Sequence, residues 1–262
     1  MDLQLENKTA LVTASSGGIG IAIAESLAKE GVEVIINGRS DESVSEAINE
    51  LQEKTNSTKF KKAIGDLGKK EDCDKIIEQY PDVDILINNV GFYEAKPFFE
   101  ETEEDWQTIF DVNIMSAVRL SQHYGKKMID KGNGRVIFVS SETAVNPDPN
   151  MAHYGATKTM MLSISRNLAE LTSGTDVTVN AVMPGSTDTE SVRELIKEQF
   201  SDMDIEEGMK KFMEENRPTS ILGRLLKVEE IADMVTFVCS PKASGINGAA
   251  LRVDGGIVKS VF

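Results

Sequence analysis

The residues of this sequence that are best suited to acid-base chemistry are Tyr154 and Lys158, which stand four positions apart on a predicted helix. That spacing places both side chains on one face, one turn from each other. A phenol ordinarily has a pKa of ~10, and a nearby ammonium group favours the phenolate and lowers that pKa. We therefore predict that Tyr154 is a general acid/base whose pKa is tuned by Lys158. Ser141 is a candidate to hydrogen-bond the reacting oxygen.

Tyr-x-x-x-Lys alone is weak evidence, because it arises by chance in roughly one such chain in three. The position of the pair in the chain makes a catalytic role better supported. Residues 136–139 form an uninterrupted apolar run, which predicts a buried strand that ends just before Ser141. A proline-containing loop follows, and then the helix that carries Tyr154 and Lys158. Its predicted apolar face consists of Ala156, Met160, Leu162, Ile164 and Leu168.

A glycine-rich turn near the start of the chain indicates a nucleotide site. Residues 9–13 predict a short strand, residues 14–20 a turn with three glycines, and the residues after it a helix that ends at Gly31. Such a turn lets backbone N–H groups approach a pyrophosphate at the positive end of the helix dipole. The alternative is a plain tight turn, but the strand-turn-helix context favours the nucleotide.

The end of the second predicted strand, residues 32–36, bears on which nucleotide binds. NAD-selective sites usually place an acidic residue there to hold the ribose 2′-hydroxyl, whereas a nearby arginine accommodates a 2′-phosphate. Gly38 stands where that acid would be, and Arg39 follows it. We predict NADP(H) as the preferred cofactor; a solvated surface arginine is the alternative.

Strand and helix patterns alternate along the whole chain, which predicts an α/β protein: a doubly wound, Rossmann-type three-layer fold with a parallel, seven-stranded sheet. The remaining strands are expected near 59–64, 84–87, 176–182 and 250–253, and a long helical region near 103–131. Asp66, after the third strand, is placed to accept from an adenine amine or to cap the next helix. Residues 1–262 are predicted to be a single domain.

Bulk properties exclude several classes of function. The formal net charge of −15 provides no basic surface for nucleic acid or for an anionic membrane. Residues 1–6 lack the features of a signal peptide, and no run is long and apolar enough to span a bilayer, so we expect a soluble, cytoplasmic protein. The two cysteines and two histidines form no metal-ligand spacing, and reduced thiols are expected.

The sequence indicates the residues that would contact the substrate less clearly. Residues 190–216 are acidic and loosely patterned, and they follow a strand end, so we interpret them as a lid over the substrate (the lid segment), with a surface helical excursion as the alternative. Predicted pocket residues are Tyr93, Glu142, His153 and Met183. Glu142 and His153 suggest a polar or cationic substrate, although outward-facing, solvated side chains are the more ordinary interpretation.

Taken together, these residues resemble the short-chain dehydrogenase/reductase family over essentially the whole chain. The matching motifs are Thr13-Ala14-Ser15-Ser16-Gly17-Gly18-Ile19-Gly20, Asp66-Leu67, Asn88-Asn89-Val90-Gly91, Asn113, Ser141, Tyr154-x-x-x-Lys158 and Pro184-Gly185. The combination is far more specific than any of its members. Ala14 departs from the pattern, since it replaces the first glycine of the family's turn.

The resemblance implies an NAD(P)-dependent enzyme that interconverts a carbonyl and a secondary alcohol, with hydride passing from C4 of NADPH to the carbonyl carbon. It implies a catalytic tetrad of Asn113, Ser141, Tyr154 and Lys158. Lys158 would also hold the nicotinamide ribose, and Asn113 would organise a water that relays protons. The implied cofactor contacts are Thr13, Ser15, Ser16, Gly18, Ile19, Gly20, Arg39, Asp66, Leu67, Asn89, Gly91, Tyr154, Lys158, Pro184, Gly185, Thr187 and Thr189.

Three questions stay open at the level of sequence. Relatives of this kind include 3-oxoacyl-carrier-protein reductases, but acidic carrier proteins need a basic docking surface and this chain is strongly negative. We therefore rank a small ketone or alcohol above an acyl carrier. A cofactor-sensing binding protein without turnover is the alternative of another class, disfavoured because both Tyr154 and Lys158 are present. A homotetramer, or a homodimer, is what the resemblance implies for assembly.

Overall fold

The computed structural model describes residues 1–261 and forms one seven-stranded parallel sheet. The strands lie in the order β3-β2-β1-β4-β5-β6-β7, and every pair is parallel. The predicted α/β class and seven-stranded parallel sheet are confirmed. The strands are β1 (Thr9–Val12), β2 (Glu33–Gly38), β3 (Phe60–Ile64), β4 (Ile85–Asn88), β5 (Asn133–Val139), β6 (Asp176–Pro184) and β7 (Ala250–Val253).

Helices cover both faces of the sheet. They are α1 (Gly18–Lys29), α2 (Asp41–Thr55), α3 (Lys70–Gln79), α4 (Glu103–Phe110), α5 (Ser116–Lys131), α6 (Ala152–Glu170), α7 (Glu190–Gln199), α8 (Ile205–Asn216) and α9 (Val228–Cys239). Helices α1, α2 and α9 contribute to one hydrophobic core, and α3, α5 and α6 to the other. The three layers of the predicted fold are thus present.

Alternation along the strands explains the two cores. In β5, Ile137 and Val139 face the core under α1 and α9, whereas Val136 and Phe138 face the core under α5. Successive side chains of a strand point to opposite faces, so a strand covered on both sides reads as a continuous apolar run. The strand order reverses at β1, which lies between β2 and β4. In doubly wound sheets, ligands bind at the carboxyl edge near such a reversal.

The predicted long helix near 103–131 is interrupted by one π-helical turn, Asp111–Met115, between α4 and α5. Asn113 lies within this turn and is fully buried. A mid-helix asparagine can compete with the backbone for hydrogen bonds, and the regular helical pattern is interrupted at the turn that contains Asn113. It rotates the Asn113 amide away from the helix axis toward the loop after β4.

The predicted apolar face of α6 is only partly correct, because Leu162, Ile164 and Leu168 pack against the core whereas Ala156 and Met160 do not. The residues that α6 buries are His153, Thr157, Lys158, Met161, Ser165 and Ala169. Ala156 and Met160 are exposed, while Leu162, Ile164 and Leu168 are only partly buried. Apolar periodicity failed here because the first turns of α6 face a polar cleft, so their inward positions carry polar groups.

The lid segment folds into α7 and α8, which have a small core of their own. Ile196, Phe212, Met213 and Leu225 form this cluster, separate from the two cores of the sheet. A side chain on Gly208 would lie 2.9 Å from Ile196 Cγ2, so glycine allows the two helices to approach closely. Within residues 1–261, no helix is long and apolar enough to cross a membrane.

Candidate active site

A cavity of about 500 Å³ opens at the carboxyl edge of the sheet, at the ends of β4, β5 and β6 and beside the glycine-rich turn. Three of the four predicted tetrad residues, Ser141, Tyr154 and Lys158, line it. Predicted cofactor residues on its wall are Gly18, Ile19, Asn89, Gly91, Tyr154, Lys158, Pro184, Gly185, Thr187 and Thr189. A volume of this size is typical of ligand sites.

The glycine-rich turn is shaped by close backbone contacts. A Cβ atom on Gly20 would overlap the Ala14 carbonyl oxygen and lie 2.8 Å from Ser15 Cα, whereas one on Gly17 would meet nothing within 4 Å. Gly18 has a positive φ of 56°, and Ala14 has a φ of 48°. Ala14 therefore occupies the left-handed region that favours glycine, at a cost of roughly 1–2 kcal/mol.

The N-terminus of α1 differs from most other helix starts in this chain. Gly17 caps it without a side-chain hydrogen bond, and its first turn contains no acidic residue. By contrast, α2, α7 and α8 begin with a side-chain cap from Ser40, Thr189 and Asp204. Free N–H groups and the helix dipole therefore remain available at α1, and this donor set fits the pyrophosphate of a dinucleotide.

Two predicted cofactor residues use their side chains to hold the turn. Thr13 Oγ1 accepts hydrogen bonds from the backbone N–H groups of Asn89 and Val90, at 2.8 and 3.0 Å. Ser15 Oγ donates to the Val12 carbonyl and accepts from the Asn37 N–H. Both side chains are buried and point away from the cavity wall. Their contribution is to fix the turn between β1, β2 and β4.

The end of β2 has no room for an acidic side chain. A Cβ atom on Gly38 would lie 2.8 Å from Val44 Cγ2 and 3.0 Å from Ser16 Oγ. Arg39 is exposed and makes no hydrogen bond or ion pair with another of residues 1–261. Its guanidinium is therefore free for a phosphate, a group that arginine binds with two parallel hydrogen bonds.

Asp66 and Leu67 lie outside the cavity wall. The Asp66 carboxylate accepts from the Gly68 N–H at 3.1 Å and lies 3.7 Å from Lys69 Nζ. The N-cap of α3 is Lys69, so the interpretation of Asp66 as a helix cap is wrong. Its side chain is 39 % exposed and keeps free acceptor capacity, which leaves the predicted adenine contact open. Leu67 belongs to the core under α5.

Lys158 is buried at the base of the cavity. Its ammonium donates to the Val139 carbonyl at 3.0 Å and lies 5.4 Å from the centroid of the Tyr154 ring. Burial lowers the pKa of Lys158 to about 8. A Cβ atom on Gly91 would lie 3.2 Å from Nζ, so glycine at that position leaves the space that the lysine needs.

The expected direction of the Tyr154 pKa shift is wrong. Burial, and after it the negative charge of Glu142, raise the pKa of Tyr154 above its ordinary value, while a hydrogen bond with Ser141 and, to a smaller extent, the charge of Arg217 act in the opposite direction. Tyr154 therefore keeps its proton at neutral pH in this structure, which is the state required of a proton donor.

Asn113 does not line the cavity, but it hydrogen-bonds to residues adjacent to those that do. Its amide group donates to the Phe92 carbonyl at 3.0 Å and to Thr157 Oγ1 at 3.1 Å, and its carbonyl oxygen accepts from the Phe92 N–H at 2.7 Å. Thr157 stands between Tyr154 and Lys158 on α6. The Asn113 side chain thus fixes the loop after β4 against the helix that carries the predicted acid/base pair.

Ser141 is engaged by a buried carboxylate. Its hydroxyl donates to Glu142 Oε2 at 2.7 Å, and Thr143 Oγ1 donates to it at 2.9 Å. Glu142 is 3 % exposed, and its other oxygen accepts from Arg217 Nε at 3.0 Å. Glu142, Thr143 and Arg217 all line the cavity. The interpretation of Glu142 as a solvated, outward-facing side chain is wrong.

The other predicted pocket residues divide into two groups. Tyr93 lines the cavity, with its ring 6.1 Å from that of Tyr154. His153 and Met183 are buried and lie away from the cavity wall. His153 Nδ1 lies 2.8 Å from the buried Glu101 carboxylate instead, so neither a pocket position nor a solvated one was correct for it.

Residues of the lid segment also form part of the wall: Glu190, Ser191, Val192, Leu195 and Phe212. Arg217, the first residue beyond the predicted segment, was missed. The sequence signal for it was weak: an arginine before Pro218, where a helix is expected to end.

The fold and this site define a nucleotide-binding α/β oxidoreductase. Residues 8–199 match the family described as short chain dehydrogenase, and the chain belongs to the short-chain dehydrogenase/reductase family. It is 53 % identical over 264 residues, covering 100 % of both chains, to an uncharacterized oxidoreductase, YvaG, of Bacillus subtilis. It is 35 % identical to dehydrogenase/reductase SDR family member 4 of Sus scrofa, over 96 % of this chain and 88 % of that one.

One of the similar solved structures contains a bound cofactor and a bound substrate. L-Sorbose reductase from Gluconobacter frateurii, complexed with NADPH and L-sorbose, superposes with a TM-score of 0.93 at 30 % identity, covering 100 % of both chains. The chain is thus an oxidoreductase of this family, and family and neighbour together support a nicotinamide cofactor. These likenesses do not distinguish the 3-oxoacyl-carrier-protein reductases from other members of the family.

Proposed function

We propose that this protein catalyses the NADP(H)-dependent interconversion of a small polar ketone and its secondary alcohol. The observation that carries the proposal is the convergence of Ser141, Tyr154 and Lys158 on one cavity whose far wall is the uncapped start of α1. A proton donor, a hydroxyl donor and a phosphate site are thereby combined in one space.

In the proposed reduction, Ser141, Tyr154 and Lys158 each have a separate role. When bound, the nicotinamide supplies a hydride, two electrons and a proton nucleus, to the carbonyl carbon. Ser141 holds the carbonyl oxygen by donating a hydrogen bond, which requires its hydroxyl to turn from Glu142. Tyr154 then gives its proton to that oxygen as the carbon–oxygen π bond breaks. Lys158 stabilises the phenolate that remains and holds the cofactor ribose.

Asn113 positions these groups. Its three hydrogen bonds tie Phe92 and Thr157 together, so that the loop after β4 and the Tyr154 helix keep their relative placement. Lys158 would then pass a proton to the Tyr154 phenolate, and a water held near the π-helical turn would return that proton to Lys158; this relay is part of the proposal.

The end of β2 supports the proposed preference for NADP(H) over NAD(H). Gly38 leaves no space for the carboxylate that NAD-selective sites use, and Arg39 offers an unpaired guanidinium beside it. Ser16 Oγ lies close enough to Gly38 to share in binding a 2′-phosphate.

The likeness to L-sorbose reductase supports a small polar ketone as substrate. The 3-oxoacyl-carrier-protein alternative remains disfavoured, because the lid segment beside the cavity adds acidic side chains to an acidic molecule. A homotetramer and a cytoplasmic location stay predictions. Light scattering on the purified protein tests the first of these.

The proposed reaction is tested by a panel of ketones and alcohols with NADPH and with NADH, followed through the absorbance of the reduced nicotinamide. We expect NADPH oxidation with small polar ketones, and at least about a tenfold lower kcat/KM with NADH, the factor that one charge-assisted contact of ~1.4 kcal/mol provides. NADPH binding without turnover on any compound would instead indicate a cofactor-sensing protein. Equal kcat/KM values for the two cofactors would contradict the NADP(H) preference.

A further inference from the structure

Glu142 and Arg217 form an ion pair on the cavity wall that the proposed reaction does not use. Glu142 is 3 % exposed and the Arg217 side chain 12 %. Arg217 Nε lies 3.0 Å from Glu142 Oε1, and its Nη1 atom lies 3.6 Å from Asp148 Oδ2. The two partners come from different elements, one beside Ser141 and one immediately after α8.

Such a pair is costly to place inside a protein. Removing a carboxylate and a guanidinium from water costs several kcal/mol per ion, and their attraction often does no more than offset it. An apolar pair of similar volume would serve stability as well. Polar groups retained on the wall of a ligand cavity are therefore candidates for recognition.

The position of Glu142 relative to Ser141 determines what it can recognise. Ser141 Oγ and Glu142 Oε2 are 2.7 Å apart, so a substrate oxygen held by Ser141 places its neighbouring carbon atoms close to the carboxylate. Oxygens on adjacent carbon atoms lie about as far apart as two hydrogen-bonded oxygens, ~2.7–2.8 Å. A hydroxyl on the carbon next to the carbonyl thus falls within reach of Glu142.

The chemistry of the pair selects among possible substrates. A carboxylate only accepts hydrogen bonds and a guanidinium only donates them, whereas a hydroxyl does both. A neutral hydroxyl group therefore satisfies both partners at once. A substrate carboxylate in the same place would be repelled by Glu142. An alkyl group there would exclude water from the ion pair and would offer no hydrogen bonds in place of those to water.

We propose that Glu142 and Arg217 recognise a hydroxyl group on the carbon next to the reacting carbonyl. The substrate class is then the neutral α-hydroxy ketones, and the reduced product is a vicinal diol. This assignment rests on the proposed carbonyl reduction at Ser141 and Tyr154 and adds the group that the substrate presents beside the carbonyl.

The wild-type enzyme tests the assignment with two pairs of ketones that differ by a hydroxyl in place of a methyl. The first pair is 1-hydroxybutan-2-one and pentan-3-one, with the hydroxyl next to the carbonyl. The second is 4-hydroxybutan-2-one and pentan-2-one, with the hydroxyl one carbon further away. With NADPH, kcat/KM should favour the hydroxy ketone by at least about a hundredfold in the first pair, and by much less in the second.

Variants locate the effect in the ion pair. In Glu142→Gln and in Arg217→Met, the hundredfold ratio of the first pair should fall to within about tenfold, whatever happens to absolute turnover. Intrinsic reactivity of the ketones cancels, because the same two compounds are compared in every enzyme. Arg193→Met is the matched control, since Arg193 pairs with Asp188 on the same segment outside the cavity wall and should leave the ratio unchanged.

The outcomes separate this assignment from the proposed function. If wild type reduces both members of the first pair with equal kcat/KM, the α-hydroxyl assignment is overturned and the carbonyl reductase stands. If no ketone is reduced although NADPH binds, both are overturned. If one variant fails to fold in a thermal melt, the other variant and the wild-type ratio still decide. A ratio that survives in both variants assigns recognition to other residues.

Discussion

The glycine-rich turn and the lid segment line the same cavity, yet the chain holds them in place by different means. The turn is fixed by backbone contacts and by the buried side chains of Thr13 and Ser15, which bond to strands β1, β2 and β4. The lid segment packs with Leu225 in a small separate cluster, and Arg217, the residue after the segment, donates to Glu142 beside Ser141. The wall predicted to bind the cofactor is therefore tied to the ends of three strands, and the wall predicted to face the substrate depends on a few long-range side-chain contacts.

The largest expected effect tests whether chemistry separates from cofactor binding. Tyr154→Phe removes the proton donor and keeps the ring, so kcat should fall by about 10²–10⁴-fold. The NADPH dissociation constant, measured by fluorescence, should change by less than about threefold because the turn and α1 are untouched. Turnover within tenfold of wild type would contradict the role of Tyr154.

The second prediction concerns how much the buried ammonium of Lys158 lowers the free energy of unfolding. Burial lowers the pKa of Lys158 from 10.5 to about 8, so the folded chain releases this proton at lower pH than the unfolded chain. Between pH 8 and 10.5 the unfolded state binds more protons, and wild-type stability gains from this group as pH rises. The cost is fully present below pH 8.

Lys158→Met should therefore melt at a higher temperature than wild type at pH 7, with a gap that narrows toward pH 10, although it loses activity. Thermal melts across this range check the trend. Lys126→Met, at an exposed position, controls for the loss of a lysine. A gap that does not change with pH would contradict the cost assigned to the buried charge.

The rigidity of the turn is tested by two neighbouring glycines. Gly20→Ala would press a methyl group into backbone atoms, which cannot move aside as a side chain does, and should lower the free energy of unfolding by about 1–3 kcal/mol. Gly17→Ala meets nothing within 4 Å and has an extended backbone, so its stability should stay within about 0.5 kcal/mol of wild type. Denaturant titrations compare them, and equal losses would contradict this account of the turn.

A smaller effect is expected at the adenosine end of the cofactor. Arg39→Ala should raise the KM for NADPH about tenfold, corresponding to a charge-assisted contact of ~1.4 kcal/mol, and should leave the KM for NADH nearly unchanged. Lys59→Ala, another exposed cation near the edge of the sheet, is the control. Parallel losses with both cofactors would indicate a general effect of charge.

The smallest effect concerns the departure at Ala14. Since its φ of 48° is strained for a residue with a Cβ atom, Ala14→Gly should raise the free energy of unfolding by about 0.5–1 kcal/mol, net of the extra entropy that glycine gives the unfolded chain. A higher thermal midpoint would confirm the strain. A lower one would show that the methyl contributes packing that outweighs it.

The sequence was informative where structure depends on local pattern. An uninterrupted apolar run located strand β5, and the alternation of strand and helix patterns predicted the layers and the parallel sheet. Glycines between a strand and a helix located the turn at the carboxyl edge. In each case neighbouring residues determine the geometry.

It was less informative where the outcome depends on residues far apart. Glu142 and Arg217 are separated by 75 positions, and neither alone indicates a buried pair. His153 was placed in the pocket because nothing nearby in sequence reveals Glu101 as its partner. The pKa of Tyr154 was predicted from Lys158 alone, whereas burial and Glu142 determine its direction.

The separate cluster formed by Ile196, Phe212, Met213 and Leu225 has a consequence for how this enzyme could diversify. A segment that satisfies its own apolar side chains can be transplanted as a cassette without repacking the sheet beneath it. Chimaeras that exchange residues 190–225, which contain the whole cluster, with those of a homologue should then acquire new selectivity while they keep the original dinucleotide affinity.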